Sequence, residues 1–318
     1  MRVLVLGGYG AVGAPVVARL RAAGATALAA GRDAHRADRV VDLAAPRSFA
    51  DALADVDPDV VVNAAGAEEP ALVALATAHG AAFVDVTATT GYVAAIEGLA
   101  VERPVVVSVG LAPGLTNLLA AAVHERAPGP VDLAIVLGAG EHHGSAGVAW
   151  SYGLLGRHFT DPSSGRRVRN YTRPRRFDLP GLGRRRLLRT DFSDQHTLTR
   201  DLGVPVRTWF GLDSRLATTA LGALTWVPGG RHAPRAVPLP GSDGWLVLAR
   251  AAGGTARWAT GRGQSAATAE LTVDAVLATA RLPAGVHHLH RVLHLDDLVA
   301  GSAGAGGIAV DGADPAAA

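Results

Sequence analysis

The chain contains neither cysteine nor lysine, and these two absences restrict its chemistry. Without thiols it forms no disulfide, no Cys-based zinc site and no cysteine nucleophile. Without lysine it has no Schiff-base chemistry, no Walker-type phosphate lysine and no Tyr-x-x-x-Lys pair of the short-chain dehydrogenase type. Any acid or base in this protein must therefore be His, Tyr, Asp, Glu or water.

Aromatic residues and net charge are also scarce. Aromatic side chains make up 5% of the chain, and the formal charge is +2 for 318 residues. Such a chain lacks both the stacking platform and the strong field that nucleic acid needs. Arginines do cluster at 166–189, but they alternate with apolar residues, as in strands with one solvated face. We expect no nucleic-acid partner.

One uncharged stretch, residues 104–123, is long enough to cross a membrane. Pro113-Gly114 and Thr116-Asn117 interrupt its centre, so a strand, a tight turn and a helix account for it better. The apolar segment at 1–6 is too short for a signal peptide. We expect a cytoplasmic protein with no membrane partner.

Strand and helix patterns alternate through the first 127 residues. Predicted strands lie at 2–6, 26–30, 40–43, 60–63, 83–86 and 104–109, and predicted helices at 11–23, 48–53, 70–79 and 116–126. This alternation is typical of a parallel, doubly wound α/β sheet.

The rhythm changes after Pro128-Gly129-Pro130. Strand patterns at 131–138, 166–171, 186–190 and 204–212 are joined by turns without regular helices, and residues 245–260 predict a hairpin. They indicate a second, α+β domain on a mixed or antiparallel sheet, which would bind substrate. A helix predicted at 265–279 is expected to pack back on the first domain. The predicted domains are 1–127 with 262–300, 128–261, and a flexible Gly/Ala-rich tail at 301–318.

A glycine motif, Gly8-x-Gly10-x-x-Gly13, lies between the first predicted strand and the first predicted helix. In that context it is the fingerprint of a Rossmann-type dinucleotide site: the turn is tight, the backbone approaches the pyrophosphate, and the helix N-terminus faces it. The predicted cofactor-binding residues of this loop are Gly7, Gly8, Tyr9, Gly10, Ala11, Val12 and Gly13.

The end of the second strand indicates which dinucleotide binds. NAD enzymes usually carry an acid there to accept the ribose hydroxyls. This chain has Gly31 and then Arg32, which leave room for a 2′-phosphate and offer it paired hydrogen bonds. The expected cofactor is NADP(H). Asp42, after the third strand, is a candidate acceptor for the adenine amino group.

The fourth strand ends in Asn63-Ala64-Ala65-Gly66 at the carboxyl edge of the predicted sheet. The ribose and nicotinamide of a bound dinucleotide lie at such an edge. Small side chains keep that edge open, so all four residues are predicted to bind cofactor.

Two polar residues, Asp85 and Thr87, end the fifth strand at the same edge. Asp85 is a candidate catalytic residue that stabilises an iminium cation or relays a proton; the alternative is that it caps the next turn. Tyr92 is a second catalytic candidate through its hydroxyl, or else a core residue. Thr87 is a candidate substrate ligand.

Further substrate and acid–base candidates lie beyond the sixth strand. Pro113, Gly114 and Asn117 form a loop into a helix N-terminus, which is either a carboxylate cradle or a structural turn. His143, in a glycine-rich stretch, is a candidate general acid or base.

Two aromatic residues of the second domain, Trp150 and Tyr152, are candidate walls of a substrate pocket or core residues. Four histidines between His287 and His294 suggest a metal site, but no cysteine supports that interpretation. We predict a short surface connection there, and no metal.

With these segments in place, the chain resembles the saccharopine dehydrogenase-like family of NAD(P)-dependent oxidoreductases, in its saccharopine reductase-like branch. The shared segments are 7–13, 62–66, 83–87 and 110–120, the last similar to the family's Gly-Leu-Asp-Pro-Gly segment, with further similarity at 140–144 and Trp150. The resemblance implies a Rossmann domain, a substrate domain and a homodimer that reduces C=N bonds or oxidises secondary amines of amino-acid-like substrates.

One departure from that pattern bears on the substrate. Ala112 stands where the family segment has an acid, so a contact to an amino-acid substrate is missing. The expected substrate is therefore a specialised small-molecule imine other than saccharopine. Two alternatives stay open: reduction of C=O or an activated C=C, and an NADP(H)-binding sensor without catalysis.

Overall fold

The computed structural model describes residues 1–45, 47–140, 145–230, 241–301 and 308–311. The chain divides into two compact units, Met1–Gly114 with Thr268–Leu293, and Leu115–Ala267 with His294–Ala318. One seven-stranded sheet lies in each unit, and a two-stranded ribbon accompanies the second. The predicted fold class, a doubly wound parallel sheet followed by a mixed one, is confirmed.

The first unit is built on a parallel sheet. Its strands are β1 (Arg2–Leu6), β2 (Thr26–Gly31), β3 (Arg39–Val40), β4 (Val60–Asn63), β5 (Ala82–Asp85), β6 (Pro104–Val107) and β15 (Gly285–His288). They lie in the order β15-β6-β5-β4-β1-β2-β3, and every pairing is parallel. Strand order reverses between β1 and β4, so this is the point where a ligand would bind at the carboxyl edge.

Helices connect these strands. They are α1 (Gly13–Ala22), α2 (Ser48–Val56), α3 (Pro70–Ala78) and α4 (Thr90–Glu97), and α9 (Gln264–Ala278) leads back toward β15. The central strands are mostly valine and leucine, and they are buried apart from Arg2 at the start of β1. Such continuous apolar runs form when helices cover both faces of a sheet. The resulting core fixes the carboxyl edge on which the candidate site stands.

The second unit is built on a mixed sheet in the order β10-β11-β12-β7-β13-β14-β16. Its strands are β7 (Val131–Leu137), β10 (Thr172–Leu179), β11 (Gly183–Arg189), β12 (Val206–Leu212), β13 (Gly244–Ala251), β14 (Ala256–Arg262) and β16 (Ile308–Asp311), and β8 (His158–Thr160) pairs with β9 (Arg167–Arg169) as the ribbon. Only β7 and β12 pair in parallel among the described strands of this sheet.

Regular helices are present in the second unit, although we predicted that turns join its strand patterns. They are α5 (Thr116–Arg126), α6 (Ser145–Gly153), α7 (Ser193–Leu202), α8 (Arg215–Leu224) and α10 (Leu295–Gly301). Helix α7 was missed because it is rich in Ser, Thr and Asp, residues of modest helix propensity that packing can override. The predicted helix at 116–126 forms, and it belongs to this unit.

Two segments near the end of the sequence also differ from expectation. The segment 287–294 was predicted as a surface connection, but its first two residues belong to β15, which pairs with β6. Within the predicted tail, Ile308–Asp311 forms β16 and pairs with β14. Each gains a strand partner that is distant in sequence, a source of order that local composition does not reveal.

No helix among the described residues is long and apolar enough to span a membrane. The uncharged stretch at 104–123 is divided between β6 and α5.

Candidate active site at the carboxyl edge of the parallel sheet

The glycine loop turns tightly from β1 into α1. Gly7 has a positive φ of 71°, and its N–H donates to the carbonyl of Ala30 at 2.8 Å. A Cβ at Gly13 would lie 2.1 Å from the carbonyl oxygen of Gly7, so only glycine allows this approach. No side chain caps the N-terminus of α1. The loop therefore has the cramped backbone and the uncapped helix end that fit a dinucleotide diphosphate.

Tyr9 connects the glycine loop to the end of β2. Its ring packs where a Cβ on Gly31 would be, 2.5 Å from the nearest ring carbon, and its hydroxyl accepts the N–H of Asp33 at 3.1 Å. The guanidinium of Arg36 lies 4.5 Å from the ring centroid and donates to the carbonyl of Tyr9 at 2.9 Å. Gly31 thus serves here as space for Tyr9, a role that the sequence did not suggest.

Two arginines stand beside this end of β2, and only one of them was predicted. Arg32 is exposed and makes no hydrogen bond or ion pair with the described residues, so its guanidinium is available to an anion. Arg36 is exposed as well but is held against Tyr9. Sequence reasoning missed Arg36 because the motif looks only at the residue after the strand. A second arginine in the following turn was the signal that could have found it.

Asp42 follows β3 and is partly buried. Its Oδ1 accepts the N–H of Ala44 at 3.1 Å, and its own N–H donates to the hydroxyl of Ser48 at 2.9 Å. The carboxylate thus stabilises the turn that leads into α2. Its predicted contact to adenine is neither required nor opposed by this geometry.

The strand ends that were singled out separately come together in one buried cluster. The amide nitrogen of Asn63 donates to Asp85 Oδ2 and to the carbonyl of Ala67, both at 2.8 Å. The hydroxyl of Tyr92 donates to Asp85 Oδ2 at 3.0 Å, and the N–H of Thr87 donates to Asp85 Oδ1 at 2.7 Å. Asp85 therefore ties β4, β5 and α4 together at the carboxyl edge.

Burial determines what this cluster can do chemically. Loss of water raises the pKa of Asp85, although the hydrogen bonds from its partners oppose that rise. Burial, and then the adjacent Asp85 carboxylate, raise the pKa of Tyr92. Tyr92 keeps its proton and donates a hydrogen bond to Asp85. Asp85 and Tyr92, two of the three predicted catalytic residues, are thus hydrogen-bonded to each other, whereas Ala65 and Gly66 nearby are exposed.

The remaining substrate candidates are distributed over both units. Pro113 and Gly114 belong to the first unit and are buried, and Asn117 is buried near the start of α5 in the second. Trp150 and Tyr152 are partly buried on α6, where Trp150 packs edge-on against Phe192 with ring centroids 4.8 Å apart.

The predicted acid–base residue His143 lies outside the described residues. The histidine cluster at 287–294 does not form a metal centre, since no group of three ligating side chains occurs among the described residues. Instead, His288 is buried in β15, bonded to Ser108 and Glu97. Sequence reasoning missed this pair of contacts because 180 residues separate Ser108 from His288.

Comparison with known proteins gives the following similarities. Residues 3–110 match the family model described as NAD dependent epimerase/dehydratase family. No curated protein matches the chain. An amine dehydrogenase structure from Mycobacterium smegmatis is 13% identical over 93% of this chain and 96% of its own, with a TM-score of 0.47.

A structure of the UDP-glucose 4-epimerase of Thermus thermophilus in complex with NAD is 14% identical over 71% of this chain and 83% of its own, with a TM-score of 0.22. TM-scores below 0.5 do not establish a shared fold, so neither structure bears on the activity of this chain. The saccharopine dehydrogenase-like resemblance stays a prediction. What the family match supports is coarser: residues 3–110, which lie in the first unit, are similar to the NAD-dependent family that the model describes.

Proposed function

We propose that this chain is an NADP(H)-dependent oxidoreductase that reduces a C=N bond in a specialised substrate other than saccharopine. The observation that carries the proposal is the combination of the glycine loop with the end of β2. The loop leaves a cramped, uncapped helix N-terminus for a diphosphate, and no acid replaces Gly31 where ribose hydroxyls would be bound.

The residues present fit the cofactor in a defined way. The backbone of 7–13 and the N-terminus of α1 would hold the diphosphate, and Arg32 with Arg36 would hold the 2′-phosphate. Asn63 and the small residues after it would border the ribose and nicotinamide. When bound, the nicotinamide supplies or accepts a hydride.

The C=N assignment is supported by the resemblance in 110–120 and by the state of the acid–base candidates. Reduction of a neutral carbonyl needs a proton from the protein or from water. An iminium ion arrives already protonated and needs none. Asp85 and Tyr92 are hydrogen-bonded to each other. An iminium ion, which needs no proton from them, therefore fits this edge better than a neutral carbonyl.

The reaction class is tested by following NADPH oxidation with four substrate panels: cyclic imines, keto acid and amine pairs, ketones, and enones. We expect turnover with imines, or with the keto acid and amine pairs that form them. Turnover of only ketones or enones would reassign the acceptor. Tight NADPH binding with no turnover in any panel would instead indicate a sensor.

The cofactor assignment is tested by substituting the two arginines. Arg32→Ala should weaken NADPH binding by about 1.5–3 kcal/mol, the value of a charge-assisted hydrogen bond, and leave NADH nearly unchanged. Arg36→Ala should act in the same direction but less, since Arg36 is already bonded to Tyr9.

Arg103→Ala is the matched control for both variants, because Arg103 is exposed directly before β6, at the opposite edge of the sheet. The measurement is the dissociation constant of each cofactor by calorimetry. An equal loss for NADPH and NADH in Arg32→Ala would contradict the 2′-phosphate assignment.

A further inference from the structure

The segment that leaves β6 has an unusual backbone. Ser108 has a positive φ of 57°, which non-glycine residues seldom adopt, and Gly114 has one of 136°. We name residues 108–114 the β6 exit segment. It contains Pro113 and Gly114, the predicted substrate residues. A strained backbone of this kind persists only where surrounding contacts determine it.

His288 supplies one of those contacts. Its ring is buried, with Nδ1 3.0 Å from the hydroxyl oxygen of Ser108 and Nε2 2.9 Å from Oε1 of Glu97. A carboxylate only accepts hydrogen bonds, so Nε2 must carry a proton. In the neutral ring, Nδ1 then accepts from the Ser108 hydroxyl. Glu97 thus orients the imidazole, and the imidazole holds Ser108.

Two more contacts brace the same segment. The hydroxyl of Thr268 accepts the N–H of Leu111 at 3.3 Å. A Cβ on Gly114 would lie 3.1 Å from the carbonyl oxygen of Ser108 and 3.5 Å from the Leu289 side chain, so the segment folds back on its own start beside β15. Residues far along the chain therefore fix the segment on two sides.

The β6 exit segment begins on the side of the sheet where the nicotinamide would bind. A dinucleotide bound across a doubly wound sheet extends from the point where strand order reverses, with its two nucleotides on opposite sides. The adenosine side is β2, where Arg32 and Arg36 stand. The nicotinamide side is β4, β5 and β6, where the exit segment begins.

We infer that His288, oriented by Glu97, is a positioning residue that holds the β6 exit segment in the conformation that receives the nicotinamide half of the cofactor. The inference rests on the proposed function. It assigns a role to a histidine that touches neither cofactor nor substrate and acts through Ser108.

The test compares a whole cofactor with its adenosine half. His288→Asn removes the ring, and Ser108→Gly removes the hydroxyl while glycine adopts the positive φ freely. His287→Asn is the matched control, since the neighbouring His287 bonds the carbonyl of Pro283, at 3.0 Å, and not the exit segment. For each variant we would measure the dissociation constants of NADPH and of 2′,5′-ADP, and the amide hydrogen exchange of residues 108–115.

The expected result is a split between the two ligands. NADPH binding should weaken roughly 5- to 10-fold in His288→Asn and Ser108→Gly, the effect of about one hydrogen bond, while 2′,5′-ADP binding stays within about 2-fold. Exchange in the exit segment should quicken in both variants and not in His287→Asn. A general loss of structure would weaken both ligands together, which separates positioning from mere stability.

Other outcomes are decisive too. Unchanged exchange and unchanged NADPH binding in Ser108→Gly would overturn the inference. If His288→Asn fails to fold, the result for Ser108→Gly is sufficient to test it. Equal weakening of NADPH and 2′,5′-ADP would overturn it as well. If the wild-type protein binds neither ligand, the proposed function fails, and exchange in the exit segment still shows whether His288 holds it.

Discussion

The two units use buried polar residues in different ways. In the first unit, Asn63, Asp85 and Tyr92 stand where parallel strands end, beside exposed residues of the loop after β4. In the second unit, Arg189 and Asp194 are buried and bond to residues of the same unit. Polar groups at a sheet edge can serve a ligand, whereas those enclosed by packing serve stability. Substitutions in the two units should therefore change different measured quantities.

The largest expected effect on stability belongs to Arg189. Its guanidinium is buried, pairs with Asp161 at 3.2 Å, and donates to the carbonyl of Thr208 at 3.0 Å. Arg189→Met leaves the Asp161 carboxylate buried without its cation, which should cost about 3–5 kcal/mol of unfolding free energy. Urea denaturation measures the loss, and NADPH affinity in native buffer should not change.

A control for this variant lies on the same strand. Arg186→Met removes an exposed arginine of β11 and should cost less than about 0.5 kcal/mol. A finding that Arg189→Met loses no more unfolding free energy than the control would contradict the proposed difference between the two units. A parallel fall in its NADPH affinity would contradict that difference as well.

In the first unit, Gly13→Ala should change cofactor affinity. The new methyl group would meet the Gly7 carbonyl oxygen at 2.1 Å and force the glycine loop open. The strain of overpacking is about 1–3 kcal/mol, so we expect NADPH and NADH affinity to fall roughly 10- to 100-fold together. Gly91→Ala is the control, because beyond its chain neighbours and the backbone of its own helix nothing lies within 4 Å of its added methyl group. Normal binding by Gly13→Ala would place the dinucleotide elsewhere.

The smallest expected effect is a dependence on pH in the second unit. Burial raises the pKa of Asp194 from its usual 3.8 to about 6. The folded state then binds a proton that the unfolded state has lost between about pH 4 and 6, so the free energy of unfolding falls as pH rises through that window. Asp194→Asn should flatten this fall.

At pH 8 the asparagine variant should be more stable than the wild type by on the order of 1–2 kcal/mol, since the first-turn position on α7 offsets part of the burial cost. Thermal denaturation from pH 4 to 8 measures it, with the exposed Asp178→Asn as control. An unchanged slope in Asp194→Asn would mean that another group titrates there.

The sequence predicted the first unit better than the second for a physical reason. Buried parallel strands are nearly continuous runs of valine and leucine, and the glycine motif marks the turn between β1 and α1. The local sequence signals of the first unit therefore agree with its fold. The second unit gave weaker signals. Helix α8 begins after Ser214, whose hydroxyl accepts the N–H of Ala217, a capping contact that we did not predict.

The candidate site was predicted in part. The residues of the glycine loop, and the strand ends at Asn63 and Asp85, are those that stand at the carboxyl edge. That Asp85 and Tyr92 bond each other was beyond the sequence, because it depends on how α4 packs over β5. The roles inferred for Arg36 and His288 depend on contacts between distant residues, which no local pattern encodes.

The parallel sheet is complete only after β15 has been synthesised. The first unit has its first six strands by residue 107, yet its seventh comes from residues 285–288, after almost all of the second unit. During translation, the edge of β6 stays unpaired until the ribosome has made the intervening strands and helices. The first unit is therefore not one continuous stretch of sequence. A gene fragment that stops after Gly114 would omit both β15 and His288.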